Sequence, residues 1–192
     1  GTYLMSQFDV ISITLSFVLG LSMSHLLWAT AATVRARGNL QLHPLPFLWA
    51  ACIFFVHVQY WFAAFAINTM IDQWTWSWYL QMLGLGILLF ASGALVLPSE
   101  SQQRSGNLID DFQEHGRLGL IPLAAYHLLW LPTAYRLDHA TFEAGNYANI
   151  ALAALAIVGL TTRRVSIQWA SGVAFALVVV WASVFVWTGG SL

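Results

Sequence analysis

From Val10 to Val34 the sequence contains no Asp, Glu, Lys or Arg. A helix rises about 1.5 Å per residue, and about 20 apolar residues cross a ~30 Å hydrocarbon layer, so this run is a membrane span on length alone. The apolar pattern recurs five more times, giving expected spans at Phe8–Val34, Leu45–Ile67, Thr75–Leu97, Leu118–Tyr135, Tyr147–Thr162 and Val165–Trp187. The runs are continuously apolar and do not alternate with period two, which favours helices over a barrel. The expected fold is therefore all-α, a polytopic six-helix transmembrane bundle forming one domain over residues 1–192. The first run is of full span length and lacks a basic leader, the pattern expected of a retained span rather than a cleaved signal peptide.

Charge supports this class. Only 8% of residues are charged, against about 25% in soluble domains, which excludes a water-soluble monomer. All seven basic residues are Arg. Without Lys there is no Schiff-base chemistry and no phosphate-loop lysine. The single cysteine, Cys52, excludes an internal disulfide and any Cys-x-x-Cys site. A net charge of −1 gives no basic face for nucleic acid.

Six spans place Arg35, Arg37, Arg104, Arg117, Arg163 and Arg164 on one side and Arg136 alone on the other. By the positive-inside rule the first side is cytoplasmic, and both termini are expected outside it. Trp74, Trp76, Trp78 and Tyr79 then fall at the outer interface as an aromatic belt. The cytoplasmic loop Ser99–Arg117, with Glu100, Asp110, Asp111, Glu114 and His115, is expected to be a solvated connector with one amphipathic turn; a docking or gating loop is the alternative.

Ionisable groups inside spans are costly and mark function by default. His57 and His127 lie near the centres of spans two and four, with His25 somewhat cytoplasmic of the centre of span one. Imidazoles at equal depth on facing helices can hold a b-type haem. They can also line a proton or ion path, or simply bond a neighbouring helix's Ser, Tyr or carbonyl. In span one, Asp9, Ser12, Ser16, Gly20 and Ser24 share one helix face. That stripe reads either as a small-xxx-small helix seam or as one wall of a hydrated path with Asp9 at its mouth. Asn149 in span five needs an internal partner. Pro122 and Pro132 are expected to bend span four on either side of His127.

His25-Leu26-Leu27-Trp28 recurs as His127-Leu128-Leu129-Trp130 in spans one and four, the pair that a three-plus-three inverted repeat would relate. There is no His-Glu-x-x-His, no Gly-x-Ser-x-Gly and no glycine-rich phosphate loop, so no enzyme signature is present.

Gln7-Phe8-Asp9, Leu19-Gly20-Leu21, His25-Leu26-Leu27, His43-Pro44, Trp49, Gln59-Tyr60-Trp61, Trp74-Thr75-Trp76 and Leu97-Pro98 resemble a group of small, uncharacterised bacterial integral membrane proteins. The resemblance covers roughly Met5 to Arg136. It implies a six-helix fold in a bacterial inner membrane and brings no activity with it. Phe8-Asp9 is also similar to the Phe-Ser-Asp element that opens span one in lysosomal-type potassium channels and their bacterial relatives, although the Ser is missing here.

The function expected from these features is a small channel or transporter for ions or small solutes. Asp9, Ser12, Ser16, Gly20, Ser24 and His127 are the candidate path residues, with no cofactor and no metal. The alternatives are a haem-b electron carrier using His57 and His127, with His25 in reserve, or a non-catalytic accessory subunit. Membrane lipid and a second copy of the chain, most simply in a two-fold dimer, are the expected partners.

Overall fold

The structure is a computed structural model, and it describes residues 7–71, 73–98, 106–138 and 144–187. Among these residues there are seven α-helices: α1 (Gln7–Arg35), α2 (Pro44–Asn68), α3 (Trp76–Leu95), α4 (Leu108–Glu114), α5 (Leu120–Asp138), α6 (Ala144–Thr161) and α7 (Val165–Trp187). Five of the described helices are long and apolar enough to cross a membrane, and α6 is the shorter apolar one. It begins at Ala144, three residues before the expected Tyr147.

Local sequence sets where the helices start. Pro44 opens α2 at a position where a missing N–H costs nothing, and the His43 ring accepts from Leu45 N at 3.3 Å. Thr75 Oγ1 accepts from Trp78 N at the start of α3, and Asn107 Oδ1 accepts from Ile109 N at the start of α4. Pro122 falls in the first turn of α5, where no intrahelical bond is lost, so only Pro132 interrupts that helix. The expected pair of kinks around His127 reduces to one.

The long helices pack in a closed circuit: α1 on α3, α3 on α5, α5 on α6, α6 on α7, α7 on α2, and α2 back on α1 and α3. Buried positions on α1 are Ile11, Leu15, Leu19, Ser22, Leu26, Ala29 and Thr33, a three-and-four spacing that lays one stripe along the neighbouring helices. In α2, Trp49 is fully buried against the backbones of two glycines. A Cβ placed on Gly159 of α6 would come 2.8 Å from the indole, and one on Gly172 of α7 would come 3.4 Å from it. Those glycines form the slot in which the largest core side chain sits.

Segments 36–43, 96–98, 106–119 and 162–164 lie at the same end of the bundle. A two-residue parallel bridge pairs β1 (Leu40–Gln41) with β2 (Gly106–Asn107). Arg117 donates to Leu160 O, and Gln113 Nε2 donates to Gln168 Oε1 at 2.5 Å. Gln168 in turn donates to the carbonyls of Gly159 and Thr162. Phe112 and Leu108 are buried, and Gly116 and Gly119 press on the end of α3, next to the carbonyls of Val96 and Ser92. Burial pushes the Asp111 carboxyl up from its ordinary range, while His115, 3.6 Å away, works against that shift. The part of the expected solvated connector from 106 to 117 is thus a docked cap that ties α1–α2, α3–α5 and α6–α7 together; residues 99–105 of that loop lie outside the described residues.

The two His-Leu-Leu-Trp copies occupy unlike places. His25 and Trp28 are on the outside of the bundle, whereas His127 is buried, so the recurrence does not mark equivalent positions.

The glycine slot makes a testable claim. Gly159→Ala is expected to lower unfolding stability by about 1–3 kcal/mol, because the indole has nowhere to move. Gly84→Ala, whose added methyl meets nothing within 4 Å, should be neutral or stabilising by up to ~1 kcal/mol through helix propensity. Thermal unfolding of both variants in one detergent checks the pair.

Candidate functional site

The small polar residues of α1 do not line an interior. Gly20 and Ser24 are exposed, and Ser12 and Ser16 only half-buried. The hydroxyls of Ser12 and Ser16 donate to the carbonyls of Asp9 and Ser12 in their own helix, at 2.9 and 2.5 Å. An open groove runs outside the bundle past Ser16, Leu19, Gly20, Met23, Val58 and Trp61. The expected hydrated wall therefore faces outward, as does His25, whose ring lies near Phe90.

The two central histidines are both buried, but they belong to separate networks. His57 on α2 is held on both nitrogens. Nδ1 lies 2.8 Å from Ile53 O, a carbonyl that can only accept, so Nδ1 carries the proton. Nε2 then accepts from Ser22 Oγ of α1 at 2.6 Å. Gly93 of α3 faces the pair: a Cβ placed on it would stand 3.6 Å from Ser22 Oγ and 3.8 Å from His57 Cε1. Both ring nitrogens of His57 are thus taken up by protein partners. The arrangement places Ser22, itself 1% exposed, beside a fully buried base, too enclosed for a substrate. The pair is a bolt between α1 and α2.

His127 on α5 is different. Asn149 Nδ2 donates to Gly145 O at 3.0 Å, one turn back in α6, which fixes the amide with Oδ1 toward the imidazole. His127 Nδ1 lies 2.9 Å from that oxygen and must be the donor. The neutral ring therefore keeps its lone pair on Nε2, and Nε2 is buried with no hydrogen-bond partner among the described residues. The rings of Tyr126 and Phe175 meet His127 edge-on, at 5.0 and 5.6 Å between centroids.

His127 and Asn149 line a cavity of about 140 Å³ between α2, α5, α6 and α7, together with Gln59, Ala63, Tyr126, Trp130 and other small or apolar residues. Gln59 on α2 crosses to α7, donating to Val179 O at 3.0 Å and Ser183 Oγ at 2.6 Å. Tyr60, adjacent in sequence, donates to Met82 O of α3 and stacks edge-on with Tyr126 and Trp130. Pro132, five residues beyond His127, lacks the N–H that would bond Leu128 O. Among the described residues no three His, Cys, Asp or Glu gather as a metal site.

Farther from the cap, Arg136 stacks 3.9 Å over the Trp78 ring and donates to Gln81 and Ser77, while Gln81 donates to Thr133 at 2.6 Å. This cluster ties α3 to α5 at the opposite end from the other described arginines.

Of the residues singled out in the sequence, the structure brings only His127 to a polar cavity, with Asn149 as its partner. Gln59 and Ser22 were missed. Gln59 is an uncharged amide within a span, a costly group that deserved the same suspicion as the histidines. Ser22 interrupts the leucine-rich buried face of α1, on the side away from the stripe. Comparison with protein-family models, curated proteins and solved structures finds no match to this chain.

Ser22→Ala removes the only donor to His57 Nε2 in this network and is expected to cost about 1–3 kcal/mol. Ser24→Ala, on the exposed face, should stay within about 0.5 kcal/mol of the parent. Reversible unfolding of both variants in mixed micelles measures the difference; equal effects would mean that α1 packs by another face.

Proposed function

We propose that the protein is a six-span integral membrane protein that binds a small solute between α2, α5, α6 and α7 and passes it across the bilayer. The single observation that carries this reading is the polar cavity at His127 and Asn149, set within otherwise apolar spans. Transport sites in small membrane proteins sit near the midplane, where helices are interrupted and lone polar groups face a cavity. Pro132 supplies such an interruption close to His127.

The six-span count rests on α6. At 18 residues it reaches about 27 Å, close to the ~30 Å hydrocarbon thickness. The capped end carries Arg35, Arg37, Arg117, Arg163 and Arg164, and the opposite end carries Arg136, which favours a cytoplasmic cap and non-cytoplasmic termini. The outward groove on α1 suits a second copy packing along Ser16 and Gly20. Both histidine nitrogens of His57 being occupied favours the solute reading over a haem carrier.

Two measurements test the proposal. Reporter fusions after Arg37, Asp72 and Asn107 should read inside, outside, inside; any other alternation defeats the topology. In proteoliposomes loaded with a panel of small solutes, the parent protein should admit at least one of them faster than empty liposomes do. Ala182→Phe, which fills the cavity from α7, should abolish that passage while the protein stays folded. Passage unchanged by Ala182→Phe would move the path elsewhere.

A further inference from the structure

The chemistry of the cavity wall selects its occupant. No lining residue is acidic or basic apart from His127, and a bare ion in such a place lacks the opposite charge that would offset its desolvation. The occupant is therefore neutral. Its polarity follows from a chain of obligate roles. Gly145 O can only accept, so Asn149 Nδ2 faces it and Oδ1 faces His127. That oxygen can only accept, so the imidazole proton sits on Nδ1 and Nε2 offers a lone pair. Nε2 is buried, has no donor among the described residues, and belongs to a residue of the cavity wall. A buried acceptor left unmade costs about 1–3 kcal/mol, which an arriving O–H or N–H would recover.

We infer that the cavity takes a small neutral molecule that donates one O–H or N–H hydrogen bond to Nε2 of His127, with its apolar body against Tyr126 and Trp130. The inference rests on the solute-site reading above and names its ligand class. The volume, about 140 Å³, is several times the ~30 Å³ share of one liquid water, so a handful of heavy atoms fits. Asn149 is a positioning residue: it touches the site through the imidazole, whose tautomer it sets.

Phenol and fluorobenzene are close in shape, and only phenol donates a hydrogen bond. The full chain, in nanodiscs of zwitterionic lipid and carrying nitrogen-15 histidine and tryptophan, is titrated with phenol, fluorobenzene and sodium acetate. Phenol should move the His127 Nε2 resonance upfield to saturation, while fluorobenzene and acetate leave it in place. The Trp130 indole signal follows phenol binding in variants. His127→Leu should weaken it about fivefold, the loss of one hydrogen bond of ~1 kcal/mol. Should that variant fail to fold, Asn149→Leu serves in its place. Released from Asn149, the ring can carry its proton on Nε2, so the preference for phenol over fluorobenzene should fall and acetone, an acceptor, should begin to bind. A purely structural role for Asn149 would change stability without changing which probe binds. Equal responses to phenol and fluorobenzene, saturable binding of acetate, no response to phenol, or an unchanged preference in Asn149→Leu would each overturn the assignment. Phenol binding without passage of any solute in proteoliposomes would overturn the transport reading and leave this one standing; passage that ignores hydrogen-bond donors would do the reverse.

Discussion

A polar side chain inside an apolar helix bundle has no water to turn to, so it must find its partner in the protein. That constraint organises the interior of this chain. Ser22 and His57 join α1 to α2, and Gln59 joins α2 to α7. Tyr60 joins α2 to α3, Gln81 joins α3 to α5, and His127 with Asn149 joins α5 to α6. Gln168 joins the short turn between α6 and α7 to the cap. Leucine and valine between these crossings supply contact area, but lipid tails are as apolar as they are and give little preference for one helix neighbour over another. The polar crossings specify which helix lies beside which.

The same constraint explains why one nitrogen stands out. Among the described residues five buried side-chain atoms have no partner, Trp49 Nε1, Ser92 Oγ, Gln113 Oε1, Arg117 Nε and His127 Nε2, and of these residues only His127 lines the cavity between α2, α5, α6 and α7. It is this coincidence of an unmet acceptor with a cavity wall that the proposed solute site rests on.

Element class and helix positions were legible in the sequence because length and hydropathy alone decide what can cross a bilayer. The need of Asn149 for an internal partner was legible for the same reason. Helix faces were not. In a soluble helix the apolar side marks the core, but here the outward side is apolar too, as exposed Phe17, Leu21 and Leu27 on α1 show. The stripe of Ser12, Ser16, Gly20 and Ser24 looked interior on polarity, yet short hydroxyls bond the preceding turn of their own helix and can face lipid at little cost. The cap was obscured by its composition. Acidic residues along 108–117 suggest a solvated stretch, while the anchoring depends on Leu108, Phe112 and two glycines that a charge count passes over.

The slot around Trp49 also has a meaning in time. A ribosome delivers α2 well before α6 and α7, so the indole enters the membrane long before Gly159 and Gly172 exist to enclose it. Until the last hairpin arrives, a broad aromatic surface on α2 is open to lipid, and so is the gap that will become the His127 cavity, because α6 and α7 supply two of its four walls. The site therefore comes into being only with the final step of assembly. A chain cut short before α6 would keep α1, α2, α3 and α5 and lack two of the four walls of the cavity.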